Sequence, residues 1–270
     1  MGKAWTLVSG KGGVGRSTLT VLLGMELARR NQKILLVDLN AGLRNLDMLL
    51  GLENHIVFDM MDVLEKIVPV EQAIVQDKAH PGVFLLCAPQ VTDVRRMEAK
   101  ACKSLIAKLC PHYDAVLIDA PAGVGEGFQT ALCVAHEVLL ITCPDDASMR
   151  MADHVNGMIR KNDRVPHLVV NRIAKPWVQR GIQYTPQTVA QTLDIPLFSV
   201  VPEDDALAAA VIQRQWTPFE TSKRPLCQAM AQMADRILGK ETEALSFAME
   251  PEREGMRLFR RLLHGRPIRS

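Results

Sequence analysis

A glycine-rich stretch near the start of the chain, VSGKGGVGRST from Val8 to Thr18, has the residue types and spacing of a phosphate-binding loop. In such a loop, glycines let successive backbone N–H groups point inward, and the helix that follows adds its positive end. Ser17 can also place its hydroxyl on Mg²⁺. The stretch therefore predicts a nucleotide site with Mg²⁺. The residues expected to contact the nucleotide are Gly10, Lys11, Gly12, Gly13, Val14, Gly15, Arg16, Ser17 and Thr18.

Two cations set this loop apart from the usual pattern. Arg16 stands where the pattern has lysine, and Lys11 lies five residues earlier. Arginine keeps the positive charge and can contact phosphate oxygens with two N–H groups at once, but its planar guanidinium is bulkier than an ammonium group. We therefore expect nucleotide binding to persist with a lower affinity or a changed pose.

A phosphate loop needs a strand before it and a helix after it, and apolar runs along the chain supply the strands. Most of these runs are continuous rather than alternating, which is typical of strands that are buried on both faces of a parallel sheet. The predicted strands are Ala4–Val8, Lys33–Asp38, Val83–Leu86, Ala115–Asp119, Glu137–Thr142, His167–Asn171 and Pro196–Val200.

Helical patterns lie between several of these strands. The predicted helices are Ser17–Arg30, Asp93–Leu109, Ser148–Ile159, Leu207–Gln213 and Pro225–Leu238. Alternation of strands and helices predicts an α/β fold, doubly wound around a mostly parallel sheet with helices on both faces. Ligands of such sheets bind beyond the carboxyl ends of the strands, which is where the phosphate loop would lie.

The composition favours a packed globular protein and gives no reason to expect a nucleic-acid partner. Hydrophobic residues make up 48% of the 270 residues, and the formal net charge is +2. The six cysteines form no C-x-x-C pair, so we expect free thiols in a reducing cytosol. We expect neither a signal peptide nor a bilayer-spanning segment, since no apolar run approaches the roughly 20 residues that a span needs.

The C-terminal part of the chain changes in character. We assign residues 1–239 to the α/β domain, 240–254 to a linker and 255–270 to a tail. On a helical wheel the apolar residues of the tail share an arc of about 160°, and arginines lie opposite them. This pattern predicts an amphipathic helix that binds an anionic membrane surface. The residues expected to contact the membrane are Met256, Leu258, Phe259, Arg260, Arg261, Leu262 and Leu263.

Four further segments extend the pattern of the phosphate loop. They are VDLNAGLRNLDMLLGLENHIVFDMMDVLE, IDAPAGVGEG, VVNRIAK and VPEDDALAAAV, in this order along the chain. Together with KGGVG and the basic tail, these segments closely resemble the MinD family of septum-site-determining ATPases, which carry a deviant Walker A loop. The resemblance covers about residues 3 to 265, and GLRNLD (Gly42–Asp47) is more specific to the family than the loop.

The resemblance implies roles for individual residues. Lys11 would reach across a dimer to the nucleotide held by the partner subunit. Asp119 would join Ser17 in holding the Mg²⁺ shell, and Gly123 would sense the γ-phosphate. The adenine base and its pocket would be contacted by Asn171, Pro202 and Glu203.

The segment VDLNAG departs from the family at a second position. The family has two aspartates here, the second of which is thought to orient the attacking water, whereas this chain has Asp38 and then Asn40. A neutral amide can position a water molecule, but it cannot accept a proton from it. The catalytic candidates are Lys11, Asp38, Asn40 and Asp119. With Arg16 in the same site, we expect an ATP hydrolase whose turnover is slow or lost.

The resemblance also implies cofactors and partners. These are ATP and Mg²⁺, a second copy of the chain that joins on ATP binding, and an anionic membrane surface. A septum inhibitor and a topological-specificity protein are further implied, and the location would be cytoplasmic and peripheral, at the inner face of the cell membrane. Two alternatives stay open: a non-catalytic membrane or protein scaffold on the same fold, and a flagellar-number regulator of the same family.

Overall fold

A computed structural model describes residues 2–90, 97–216, 223–240 and 242. The described residues build one eight-stranded sheet in the order β3-β4-β2-β5-β1-β6-β7-β8. All neighbouring strands are parallel except β3 and β4, which are antiparallel. The strands are β1 (Lys3–Val8), β2 (Ile34–Asp38), β3 (Ile74–Gln76), β4 (Val83–Leu86), β5 (Ala115–Asp119), β6 (Glu137–Thr142), β7 (His167–Ile173) and β8 (Leu197–Pro202).

Helices connect these strands and cover the sheet. They are α1 (Arg16–Arg29), α2 (Leu46–Leu50), α3 (Met60–Leu64), α4 (Val70–Ala73), α5 (Ala99–Leu109), α6 (Glu126–Val134), α7 (Asp146–Arg160), α8 (Lys175–Gln179), α9 (Pro186–Leu193), α10 (Asp205–Gln213) and α11 (Pro225–Ile237). The predicted fold class, a doubly wound and mostly parallel α/β sheet, is confirmed for the described residues.

Two apolar layers hold the helices on the sheet, one on each face. On one face, α5, α6, α7 and α9 pack over alternate residues of the central strands, such as Val37 and Ile118. On the other face, α1 and α11 pack over the intervening residues, such as Leu36 and Leu117. All residues of β2 and β5 are buried, which explains why the sequence shows continuous rather than alternating apolar runs.

The position of α1 depends on a close approach to the sheet. A Cβ added at Gly24 would lie 2.8 Å from a methyl group of Leu36, so this helix residue must remain small. The approach seats α1 against β2 and holds its first residue, Arg16, at the end of β1. The fold thereby delivers the phosphate loop to the carboxyl edge of the sheet, beside the point where the strand order reverses.

The predicted strands agree with the structure within two residues at each end, but one strand and several helices were missed. The edge strand β3 has only three residues, and α2, α3, α4 and α8 have five or fewer, so none shows a clear period. Helix α6 begins at Glu126, within the glycine-rich segment IDAPAGVGEG, and was not predicted. The predicted helix Asp93–Leu109 begins at Ala99, with residues 91–96 outside the described part.

The predicted linker and tail lie almost wholly outside the described residues, so that domain division stays a prediction. Thr242 is described, and it accepts hydrogen bonds from the Arg236 guanidinium at 3.1 Å (Oγ1) and 2.8 Å (carbonyl oxygen). Arg236 also donates to the Phe198 carbonyl near the start of β8. Over the residues that the structure describes, no helix is long and apolar enough to cross a membrane. All six cysteines are free thiols, as expected.

The packing of β2 yields a stability test. Leu36 is fully buried in the layer below α1, so Leu36→Ala is expected to lower the free energy of unfolding by about 2–5 kcal/mol. Leu43→Ala is the control, because it removes the same atoms from a side chain that is 74% exposed. It should change the free energy of unfolding by no more than about 0.5 kcal/mol. Urea denaturation followed by circular dichroism measures both, and equal losses would contradict the burial described.

Candidate nucleotide-binding site

The phosphate loop joins the buried end of β1 to the start of α1. Gly13 and Gly15 have φ values of 79° and 90°, in the left-handed region that glycine adopts without strain. Cβ atoms added at Gly12 and Gly13 would meet nothing within 4 Å, so both residues border open space. The loop therefore leaves room beside its backbone for a ligand, as a cradle for phosphate oxygens requires.

Two neighbouring elements hold this cradle in place. A Cβ at Gly10 would lie 2.3 Å from the Met151 carbonyl oxygen of α7, and one at Gly15 would lie 2.5 Å from the Asn171 side-chain nitrogen. Asn171, on β7, donates from that nitrogen to the Val14 carbonyl at 2.7 Å. The two close approaches require glycine on both sides of the cradle.

The Arg16 side chain is buried beneath the phosphate loop, between the loop and the end of β5, a place called the floor of the cradle below. Its side chain is only 7% exposed, since it folds back from the first turn of α1 towards the end of β5. Its Nε donates to Asp119 Oδ1 at 2.6 Å, and its Nη1 donates to Ser9 Oγ at 3.1 Å. Arg16 is thus the buried counter-ion of Asp119, a contact that the sequence did not predict.

The predicted Mg²⁺ ligands, Ser17 and Asp119, lie next to each other. The Ser17 hydroxyl donates to Asp119 Oδ2 at 2.6 Å, at the carboxyl end of β5 and the first turn of α1. Hydroxyl and carboxylate oxygens are the donors that Mg²⁺ prefers, usually completed by phosphate oxygens and water. The residues present therefore fit a Mg²⁺–nucleotide complex with its phosphates in the cradle.

A second carboxylate, Asp38, lies beside Asp119 because the two residues are in register on β2 and β5. Asp38 is fully buried and accepts hydrogen bonds from the backbone N–H groups of Asn40, Asn45 and Leu46 at 2.8, 2.9 and 3.1 Å. Burial, followed by the charge of Asp119, raises the pKa of Asp38 to about 7. Burial and the neighbouring carboxylate therefore both favour the protonated form of Asp38.

These backbone contacts shape the GLRNLD segment between β2 and α2. Asp38 holds the end of the segment, and Gly42 donates its N–H to the Pro89 carbonyl at 3.0 Å. Within the segment, the Arg44 guanidinium pairs with Asp47 at 2.6 Å, with both side chains largely buried. Asp38, predicted as catalytic, therefore also anchors the loop that follows β2.

Asn40 occupies the position where the family has its second aspartate. The residue is 7% exposed, and its side-chain amide makes no hydrogen bond to any described residue. Its neighbour Leu39 donates its N–H to the Asp119 carbonyl at 3.0 Å, so Asn40 is held near the predicted Mg²⁺ ligand Asp119. The role of its amide in positioning water stays a prediction.

The residues predicted for the base pocket gather at the ends of β7 and β8. The Glu203 N–H donates to the Ile173 carbonyl at 3.0 Å, directly after Pro202. The Asn171 side chain supports the cradle through Val14 and accepts from the Arg172 N–H at 2.9 Å. The structure thus brings these residues to the edge of the site, and the contact of Asn171 with adenine stays a prediction.

Lys11 and Gly123 border the cradle on its outer side. The Lys11 side chain is 48% exposed, and its Nζ lies 4.0 Å from Asp145 at the start of α7. Gly123, in the left-handed region at φ 84°, donates its N–H to the Ser9 carbonyl at 3.1 Å. The loop after β5 is therefore hydrogen-bonded directly to the phosphate loop.

Sequence reasoning missed several residues of the site. Ser9 accepts from Arg16, Asp145 faces Lys11, and Met151 lies against Gly10, but none of the three was among the residues predicted for the site. The sequence offered one indication of their role, their place near the ends of predicted strands. Ser9 directly follows β1, and Asp145 lies three residues after β6. Such residues become visible only when the strand ends are brought together.

This geometry is that of a P-loop ATPase, with Mg²⁺ and ATP as its cofactors. A family model described as an AAA domain matches residues 2–165. The chain is 36% identical to septum site-determining protein MinD of Helicobacter pylori over 250 residues, covering 90% of this chain and 92% of the relative. It is 33% identical to the Bacillus subtilis protein of the same name over 259 residues, covering 95% and 96%.

Solved structures agree with these relatives. The MinC:MinD cell division complex of Aquifex aeolicus contains a chain with TM-score 0.80 and 36% identity, covering 89% of this chain and 97% of that one. MinD from Pyrococcus horikoshii, solved with Mg-ADP, has TM-score 0.76 and 25% identity, covering 88% and 96%. The chain belongs to the MinD family of septum site-determining ATPases.

The cradle predicts a difference between two glycine substitutions. Gly15→Ala should displace Asn171 and force a positive φ on alanine, costing on the order of 1–3 kcal/mol and weakening ATP binding at least about tenfold. Gly12→Ala meets no atom within 4 Å and should leave the melting temperature almost unchanged. Thermal melts and titration with a fluorescent ATP analogue measure both; equal melting temperatures would contradict the packing of Asn171 on Gly15.

Proposed function

We propose that this protein is an ATP-gated switch that dimerises, binds the inner face of the cell membrane and helps position the division septum. The observation that carries the proposal is the open phosphate cradle with a half-exposed lysine, Lys11, at its rim. A cation in that position can act on a nucleotide held by another subunit, because its only ion pair among the described residues, at 4.0 Å, is long.

The surface around the cradle suits a second copy of the chain. Met151 beside Gly10 is 37% exposed, and Leu43, in the loop after β2, is 74% exposed at the same edge of the sheet. Exposed apolar side chains beside a charged site are typical of an interaction surface. Two chains facing each other would cover these side chains and place each Lys11 near the other chain's phosphates.

Pairing of two chains would also strengthen membrane binding. The tail predicted from Met256 onward is short, so one copy should bind lipid weakly. Linking two copies makes the second insertion intramolecular and can raise avidity by about 10²–10⁴. The segment 243–255 can extend over roughly 43 Å at about 3.3 Å per residue, which lets both tails reach one surface.

Hydrolysis is proposed to be slow. Asn40 can hold a water molecule near the Mg²⁺ ligands but cannot take its proton. Arg16 supplies a permanent positive charge in the floor of the cradle, where it stabilises phosphate without accepting protons. A slow turnover would prolong the dimeric, membrane-bound state, because loss of the γ-phosphate is what would end it.

The partners follow from this cycle. The Aquifex aeolicus relative was solved in a complex of MinC and MinD, which supports recruitment of a septum inhibitor by this chain. A topological-specificity protein would then act on the ATP-bound dimer. The protein would be cytoplasmic in its free state and peripheral at the membrane in its dimeric state.

One observation favours a second function, a scaffold that does not bind nucleotide. Arg16 and Ser17 already occupy both carboxylate oxygens of Asp119 with hydrogen bonds of 2.6 Å each. A rise in melting temperature with Mg²⁺ and ATP, absent with AMP, supports the ATP-gated switch, whereas no rise supports the scaffold. A flagellar-number regulator of the same family would also show this rise in melting temperature. Binding to the septum inhibitor distinguishes the two functions, because the flagellar regulator should not bind it.

Restoring the second carboxylate should speed hydrolysis. Asn40→Asp is expected to raise the rate of phosphate release about 10- to 100-fold, because a carboxylate can orient the water and accept its proton. Asn54→Asp adds the same charge at an exposed position and should leave the rate unchanged. The assay uses purified protein with anionic vesicles; fast turnover of the natural chain would refute slow hydrolysis.

The coupling of dimerisation to membrane binding is tested by vesicle co-sedimentation with and without ATP. Deletion from Met256 onward should abolish sedimentation, and Lys11→Ala should remove the ATP-dependent part by about 10²-fold in affinity. Lys103→Ala, on the exposed side of α5, is the matched control for the loss of a lysine. ATP-stimulated sedimentation of the truncated chain would rule out the tail as the anchor.

A further inference from the structure

Arg16 is held in a way that lets it serve two anions at once. Its Nε is engaged with Asp119 and its Nη1 with Ser9, while Nη2 makes no hydrogen bond to a described residue. The side chain as a whole is 7% exposed, so it keeps a small contact with solvent. Donors therefore remain on the guanidinium after its contacts with the protein are counted.

Arg16 directly follows the phosphate loop. It is the first residue of α1, after Gly15, and Gly12 and Gly13 in the same loop border open space. A guanidinium is a rigid planar fork, so it can contact a carboxylate with one edge and a phosphate with another. A lysine has a single nitrogen, which must sit between the two anions to serve both.

The local charge balance makes such a bridge necessary. Asp119 and Asp38 are both fully buried, and a polyphosphate in the cradle would add further negative charge beside them. Among the described residues, Arg16 is the buried cation that pairs with Asp119. Its charge belongs to the protein itself, so it is present whether or not a metal ion is bound.

We propose that Arg16 bridges Asp119 and the nucleotide phosphates, so that this chain binds ATP almost as tightly without Mg²⁺ as with it. In a lysine-containing loop, Mg²⁺ neutralises much of the negative charge of the phosphates. In this chain, the Arg16 bridge neutralises part of that charge. Arg16 is in this sense a specificity-determining residue, because it decides whether free ATP or only its magnesium complex is retained. The inference rests on nucleotide binding at the site described above.

The test compares ATP affinity in Mg²⁺ with affinity in EDTA, measured by calorimetry on the full chain and on Arg16→Lys. The natural chain should lose no more than about threefold in affinity on removal of Mg²⁺, and Arg16→Lys should lose more than about tenfold, since one charge-assisted hydrogen bond is lost. Arg29→Lys, on the exposed end of the same helix, is the matched control and should behave like the natural chain.

A second measurement keeps the test decisive if Arg16→Lys folds poorly. The melting temperature of the natural chain should rise with ATP in EDTA by nearly as much as with ATP and Mg²⁺. Equal dependence on Mg²⁺ in the natural chain and Arg16→Lys, or a melting temperature that ATP raises only in the presence of Mg²⁺, would overturn the bridge. Binding in Mg²⁺ alone would overturn only this inference, whereas no binding in either buffer would overturn the nucleotide site as well.

Discussion

The site depends on one constraint: two buried carboxylates, at the ends of neighbouring strands, must be hydrogen-bonded or paired with a cation. Asp38 and Asp119 lie in register on β2 and β5, and both are fully buried. A buried charge is tolerated only when it is paired or hydrogen-bonded. Three backbone N–H groups satisfy Asp38, while Arg16 and Ser17 satisfy Asp119. Each of these partners belongs to a loop or helix end at the carboxyl edge, so the carboxylates hold that edge together.

The same contacts explain how a phosphate could change the surface of the protein. The phosphate loop, the loop after β2 and the loop after β5 all bond to one another or to the two carboxylates. A ligand that alters the partners of Asp119 alters a network that includes the Gly123 N–H and the Asn40 backbone. Leu43 and Lys11, on the outside of these loops, lie where a second chain would respond to such a change.

The two residues that depart from the family pattern each contact one of the two carboxylates. Arg16 adds a forked cation beside Asp119, and Asn40, whose N–H donates to Asp38, has a neutral amide where the family pattern has a carboxylate. One change strengthens the hold on negative charge and the other weakens proton abstraction. Together they are consistent with a site that favours holding a nucleotide over rapid turnover.

The sequence by itself determined the class of the fold and the identity of the phosphate loop. Continuous apolar runs and the glycine spacing are local properties, and they predicted the long strands, α1 and most of the long helices correctly. Only the tertiary structure decided what the side chains of the site contact. Arg16 was expected to contact phosphate, and in the structure it pairs with Asp119, which lies 103 residues away in the sequence. The Asn171 side chain donates to the Val14 carbonyl, 157 residues away in the sequence. The reason is that such contacts arise from the register and order of strands in the sheet, and no local pattern of residues encodes which strand ends become neighbours.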